Sequence, residues 1–237
     1  MVTPSIDDIT IIIPVYHETD TIRKVIESIR SLEEGSRPEI IVVDGVLVMD
    51  TLYAIADRTD VVKIGGPKGR SYQMNEGAAK ARGKVLLFLH SDTILPPNAL
   101  PLITKALSNE RIAGGAFNIG FDPNNIYLSL ISFLNRIRVH STRIPYGDHA
   151  IFIRRDVFEG IGGYPKVRFM EDVLLMKKLR SSRKRIAILP EKVRTSSRRF
   201  ADDGYLKHSI RYFIVHILVG FGKDPDKLAK YYKDRRG

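Results

Sequence analysis

The chain contains no cysteine. That excludes disulfides, thiolate-held zinc and thiol nucleophiles, and it fits a reducing compartment. It also lacks any apolar run long enough to span a bilayer. The opening "MVTPSIDDITIIIPVY" has neither a basic start nor a long apolar segment, so no signal peptide is read there. These absences lead to the expectation of a cytoplasmic protein, soluble or peripheral on the inner face of the membrane. Acidic residues are in deficit: 38 Lys+Arg face 27 Asp+Glu, a net charge of +11. Such an excess favours anionic partners: phosphates, nucleotides, nucleic acid or an acidic membrane surface. No internal repeat or low-complexity linker interrupts the 237 residues, of which 43% are hydrophobic and 27% charged, enough for one large core.

What is present alternates. "DITIIIPVY" is a continuous β-branched run, as buried parallel strands are. In "ETDTIRKVIESIRSL", Ile22, Val25, Ile26, Ile29 and Leu32 recur at helical spacing, with Thr19 or Asp20 as cap. "EIIVVDG" reads as a strand, "TLYAIADRTD" as a helix, "VVKIGG" as a short strand, and "GRSYQMNEGAAKARG" as a helix stopping at Gly83. "KVLLFLH" is a fourth strand and "PNALPLITKALSN" a helix entered through prolines. This alternation predicts an α/β fold with a mostly parallel sheet and helices on both faces. Ligands then bind beyond the carboxyl ends of the strands. In the second half, "GGAFNIGF", "HAIFIRRDVF" and "RIAILPEKVRTSSRRF" read as strands and "MEDVLLMKKLRSS" as a helix; residues 122–145 are expected to form a mobile loop.

Several polar groups fall at such ends. Asp44 follows "IIVV", where a carboxylate can accept hydrogen bonds from a base or ribose, though Asp-Gly is equally a turn pair. Asp92, beside His90 and Ser91, ends the run "LLFL". Magnesium takes one or two carboxylates and completes its shell with substrate phosphates; the competing reading is a helix cap at Ser91, Asp92 or Thr93. Glu171 and Asp172 open a helix, where the dipole favours ionised carboxylates, and one of them could serve as general base on a hydroxyl. Lys68 and Arg70 in "PKGRSYQMNEG" suit a phosphate at a helix start, without the P-loop spacing; a solvated basic loop is the alternative. "GDHAIFIRRDVFEGIGGYP" holds Asp148, His149, Arg154 and Arg155, and "GIGGYP" suits a tight turn. A lone histidine such as His149 is more often a packing residue than a metal ligand.

The order "ITIIIPVYHETDTIRKVIESI", "IIVVDG", "GRSYQMNEGAAKARGKVLLFLHSDT", "GGAF", "IPYGDHAIFIRRDVFEGIGGYP" and "MEDVLLMKKLR" resembles family-2 glycosyltransferases of the GT-A (Rossmann-like) fold, over nearly the whole chain. Within that family it looks most similar to the radical-SAM/selenodomain-associated transferase 2 subgroup. The resemblance implies that Pro14, Tyr16 and Glu18 line the nucleotide pocket and that Asp44 contacts the base. It implies that Arg70, Asn75 and Ser91 lie near the donor. "HSD" stands where the family has Asp-x-Asp, so Asp92 would hold a divalent ion, Mn²⁺ or Mg²⁺, with His90 in the place of the first acid. Asp172, flanked by Glu171, matches the base of inverting members, and Tyr146, Asp148 and His149 fall on the acceptor side. The implied reaction is an inverting displacement from a nucleoside-diphosphate sugar onto an acceptor hydroxyl, with a lipid-linked acceptor among the options and no nucleic acid.

Two departures stand out. "VDGVLVMDT" puts Val46, Leu47, Val48 and Met49 where the family carries small or polar residues. His90 in the place of the first acid of the metal motif implies a cation held more weakly, or a preference nearer manganese, because imidazole suits transition metals. The Gln-x-x-Arg-Trp motif of processive synthases is absent, with "SSRRF" nearby instead. A single catalytic domain over residues 1–204 is expected. Residues 205–237, with Tyr205, Leu206, Ile210, Phe213, Ile214, Ile217 and Leu218 on one helix face, are expected to form a helical tail packed on the domain, on a second subunit or on a membrane. The competing function classes are a nucleotidyltransferase, disfavoured by the lack of an early glycine-rich loop, and a degenerate transferase acting as a binding module.

Overall fold

A computed structural model describes residues 3–32, 35, 37–198, 200 and 218. In chain order its elements are β1 (Ile9–Val15), α1 (Ile22–Arg30), β2 (Glu39–Asp44), α2 (Asp50–Ala54), β3 (Val62–Gly65), α3 (Arg70–Lys80), β4 (Val85–Phe88) and β5 (Thr93–Ile94). There follow α4 (Ala99–Leu107), β6 (Ile112–Asp122), α5 (Ile126–Thr142), β7 (Ile151–Arg154), α6 (Arg155–Gly160), α7 (Glu171–Ser181) and β8 (Arg185–Ser196). The strands form one sheet in the order β3-β2-β1-β4-β7-β6-β8-β5. The first four in that order run parallel, β7 runs antiparallel to both its neighbours, and β8 is parallel to β6.

The apolar runs explain why the sheet is covered on both sides. Side chains of a strand alternate between faces. Ile9, Ile11, Ile13, Val42, Val85 and Leu87 point into one core with α1, α4 and α5, while Ile12, Ile41, Val43, Leu86 and Phe88 point into a second with α3, α6 and α7. Gly77 lets α3 close on the sheet: a Cβ there would sit 2.5 Å from Ile12 Cγ2. The α/β architecture, mostly parallel with helices on both faces, is the one the sequence predicts.

Several local expectations are corrected. Residues 122–145 are not a loop; they carry α5, begun by Asn125, whose side chain accepts the Leu128 N–H at 2.9 Å. Its apolar residues surround the helix instead of marking one stripe, which blurs the helical period in the sequence. "HAIFIRRDVF" is a strand only to Arg154 and a helix from Arg155. The helix read in "TLYAIADRTD" is only five residues long. Neither Thr19 nor Asp20 caps α1; Thr21 occupies the cap position, with its hydroxyl on Glu18 Oε2 at 2.9 Å. α3 ends before Gly83, where instead a Cβ would meet the Asp8 carbonyl oxygen at 2.5 Å. The expected tail lies outside the described residues except for Leu218, which packs half-buried against Tyr146, Phe169, Met170 and Val173. Among the described residues no helix is long and apolar enough to cross a membrane.

Candidate active site

The parallel strands β1, β2 and β4 bring their carboxyl ends to one edge. Val15 pairs with Asp44 across β1 and β2, and the Leu89 N–H donates to the Ile12 carbonyl, so residues 14–18, 44–50 and 90–92 meet there. Gln73, from α3, ties the edge together by donating to the carbonyls of Val15 and Val43, both at 2.7 Å. Four of the non-glycine residues with positive φ, His17, Met49, Ala150 and Met170, flank this region. Such backbone strain concentrates at functional sites.

Asp44 is fully buried. Its Oδ1 accepts the Val46 N–H at 3.0 Å, its Oδ2 has no hydrogen-bond partner among the described residues, and burial raises its pKa. It shapes the loop that follows, in which Leu47 is 99% exposed, and Val48 and nearby Tyr53 are exposed as well. Asp50, beyond that loop, pairs with His17 Nδ1 at 2.5 Å. On the neighbouring turn Lys68 Nζ lies 4.8 Å from the centre of the half-buried Tyr16 ring, and Pro14 is buried in β1.

Asp92 is not a helix cap. The cap position of α4 is Asn98, and Thr93 starts β5 instead, pairing with Thr195 on β8. The Ser196 N–H donates to the Asp92 carbonyl at 3.1 Å, which brings the residues after β8 against the motif. Arg198 then bridges two nearly buried carboxylates: its Nη2 is 3.0 Å from Glu18 Oε1 and 3.4 Å from Asp92 Oδ2. Sequence reasoning passed over Arg198; the only signal was the basic "SSRRF" directly after a strand. Among the described residues no group of three acidic, histidine or cysteine side chains could enclose a metal. The single carboxylate of Asp92 at the strand end would fit a hard ion whose remaining ligands are phosphates, in competition with the Arg198 guanidinium. His90 Nε2 lies against Gly147: a Cβ there would sit 2.7 Å from it and 3.6 Å from Asp172 Oδ2. Ser91 is buried beside it.

Asp172 and Glu171 open α7 and are both buried. Arg70 Nε, at the start of α3, lies 2.9 Å from Glu171 Oε1. Asp172 Oδ2 accepts the Gly147 N–H at 2.5 Å and Oδ1 the Val173 N–H at 2.7 Å. Burial, and then the Glu171 charge, push the Asp172 pKa up to about 7 against the pull of Arg70 and these hydrogen bonds. A carboxylate poised there can take a proton near neutral pH. Asn75 clamps the loop before α7 by a two-way bond with the Tyr164 backbone at 2.9 and 3.0 Å.

The segment expected on the acceptor side wraps Asp172 from α5. The Arg138 guanidinium stacks 3.6 Å from the centre of the buried Tyr146 ring. Asp148 is half-buried. His149 is fully buried, and its Nδ1 is 2.8 Å from the Phe117 carbonyl oxygen, so that nitrogen carries the proton. Burial lowers its pKa and keeps it neutral. Its other ring nitrogen, Nε2, lies 3.9 Å from Asp148 Oδ1.

The family model of glycosyl transferase family 2 matches residues 10–162, well over half of the chain. The chain belongs to glycosyl transferase family 2. The match runs from β1 through the strand-end aspartates and the Asp148–His149 loop, and stops before Asp172. A comparison with curated proteins finds no match. Among solved structures the chain is similar to a mannosyltransferase from Pyrobaculum calidifontis in complex with GDP-Man and Mn²⁺, with a TM-score of 0.65 at 20% identity over 81% of this chain and 59% of that one. It is similar too to TarS residues 1–349 of S. aureus in complex with UDP-GlcNAc, with a TM-score of 0.63 at 17% identity over 80% of this chain and 58% of that one. The chain thus spans less than two thirds of the length of these neighbours, which share its fold.

Proposed function

We propose that this chain transfers a sugar from a nucleoside-diphosphate donor to an acceptor hydroxyl, by a single displacement that inverts the anomeric carbon. The observation that carries the reading is Asp172: a buried carboxylate, oriented by the Gly147 N–H and held near neutral pKa, close to His90 beyond the carboxyl end of β4, two residues before Asp92. Asp172 would take the proton of the attacking hydroxyl. Glu171, neutralised by Arg70, sets the field around that base. On the donor side Asp92 would hold a divalent ion, with Glu18 and Arg198 beside it. Bound there, the ion supplies Lewis-acid stabilisation for the departing diphosphate. Among the described residues Arg198, on Asp92 Oδ2, is a cation placed to follow that charge as it develops. The Mn²⁺ in the GDP-Man complex of the Pyrobaculum enzyme supports the ion assignment, and the nucleotide-sugar donors of both neighbours support the donor class.

The motif order supports the radical-SAM/selenodomain-associated transferase 2 subgroup, and a transferase domain over residues 1–204 followed by an appended segment. One observation favours a binding module instead: the exposed apolar loop after Asp44, where a nucleotide would be expected to meet polar groups. Incubation with a panel of nucleotide sugars and Mn²⁺, reading nucleoside diphosphate release and the anomeric configuration of the product by NMR, separates the readings. Release by the wild type with an inverted product, abolished in Asp172→Asn, is the expected result. A retained configuration contradicts the displacement, and release from no donor favours the module.

A further inference from the structure

The long helix α5 is unusual in what it leaves in water. Ile126 is 91% exposed, and Leu130, Phe133, Leu134 and Ile137 are each more than half exposed. At 3.6 residues per turn these five fall on one stripe. Contiguous apolar stripes of this kind mark interaction sites. Along the helix itself the charge is of one sign. Residues 126–143 contain no acid but carry Arg136, Arg138 and Arg143, and the nearest acids along the chain are Asp122 and Asp148. Arg136 and Arg143 are exposed.

From this combination we infer that α5 lies on an anionic lipid surface, with its apolar stripe in the headgroup boundary and Arg136 and Arg143 on lipid phosphates. A helix with a large exposed apolar face and arginines beside it binds in the plane of such an interface. The chain's net charge of +11 adds to the attraction. α5 is also coupled to the site. Arg138 donates to the Ile144 carbonyl at 2.7 Å and stacks on Tyr146, and the next residue, Gly147, holds Asp172. A surface-bound molecule would therefore present the Asp172 opening to hydroxyls of lipid-borne acceptors. That consequence rests on the transfer reading, whereas lipid binding itself does not, so the two can fail separately.

The test is cosedimentation of the full chain with vesicles of phosphatidylcholine alone or mixed with phosphatidylglycerol. The wild type should bind the anionic vesicles and be released by high salt. Leu130→Ser/Phe133→Ser/Leu134→Ser should lower that partition at least tenfold with an unchanged melting temperature. Arg136→Glu/Arg143→Glu should lower it roughly tenfold or more. Absence of wild-type binding, or binding unchanged in the triple variant, would overturn the proposal. Equal binding to both vesicles would overturn the anionic assignment. Two further results would also refute it: a wild-type dimer by light scattering that the triple variant converts to monomer, which assigns the stripe to a second copy, or a melting temperature several degrees lower in the variant, which shows the stripe covered by the chain itself.

Discussion

Asp172→Asn is the perturbation whose consequence follows most fully from the geometry. The carboxyl is buried beside Glu171, and its pKa is raised from 3.8 to about 7. The folded protein therefore holds a proton on Asp172 at pH values where the unfolded chain has released it. Stability from this group is fully present below about pH 4 and is lost as pH rises through about 7. A shift of about three units corresponds to roughly 4 kcal/mol, of which roughly 3 kcal/mol falls between pH 5 and pH 8. Asparagine is near-isosteric, its carbonyl can still accept the Gly147 N–H, and it does not titrate. Urea unfolding of both proteins at pH 5, 6, 7 and 8 should show the wild type losing about 3 kcal/mol relative to the variant across that range. Transfer by the wild type should rise with pH through about 7 as the base ionises, and the variant should be inactive. A stability difference that stays constant with pH would refute the assignment of a raised pKa to Asp172.

Arg70→Ala would strand Glu171, whose side chain is only 4% exposed. Breaking a buried pair from one side costs about 3–5 kcal/mol, so urea unfolding should register a loss of that order, and the acid limb of the transfer rate should move to higher pH because Arg70 pulls the Asp172 pKa down. A loss near zero would place Glu171 in water. Arg198→Ala should raise the affinity for Mn²⁺ alone several-fold, measured by electron paramagnetic resonance, because the guanidinium on Asp92 Oδ2 no longer competes with the ion. Weaker binding would show that Arg198 helps to hold the ion.

The first half of the fold is legible in the sequence because its strands are continuous apolar runs and its helices, apart from α2, repeat at 3.6 residues. "IIIPV", "IIVVD" and "LLF" are strands with carboxyl ends at one edge, and Asp44, Asp92 and Tyr16 stand at or just beyond such ends. The second half is harder for two reasons. α5 carries apolar residues on its buried and its exposed sides, so periodicity fails just where the surface is functional in our reading. The switch from β7 to α6 at Arg155 occurs without glycine or proline, and no local signal marks it. In the site, position along a strand or helix identifies Asp92, Glu171 and Asp172 as candidates. It does not reveal their partners. Arg198 meets Glu18 across 180 residues, and Arg70 meets Glu171 across the packing of two helices. Such pairings depend on tertiary geometry. The resemblance implies Asn75 near the donor and His149 on the acceptor side; in the structure Asn75 bonds the Tyr164 backbone and His149 Nδ1 the Phe117 carbonyl.

The central claim, a metal-dependent nucleoside-diphosphate site at Asp92, is tested most directly by calorimetric titration of UDP, GDP, CDP and dTDP, each with and without Mn²⁺, into the wild type and Asp92→Ala. The account predicts that one nucleotide binds tightly only with Mn²⁺ and that the substitution abolishes this binding. A folded wild type that binds none of them, or a nucleotide bound equally well by Asp92→Ala, would contradict it.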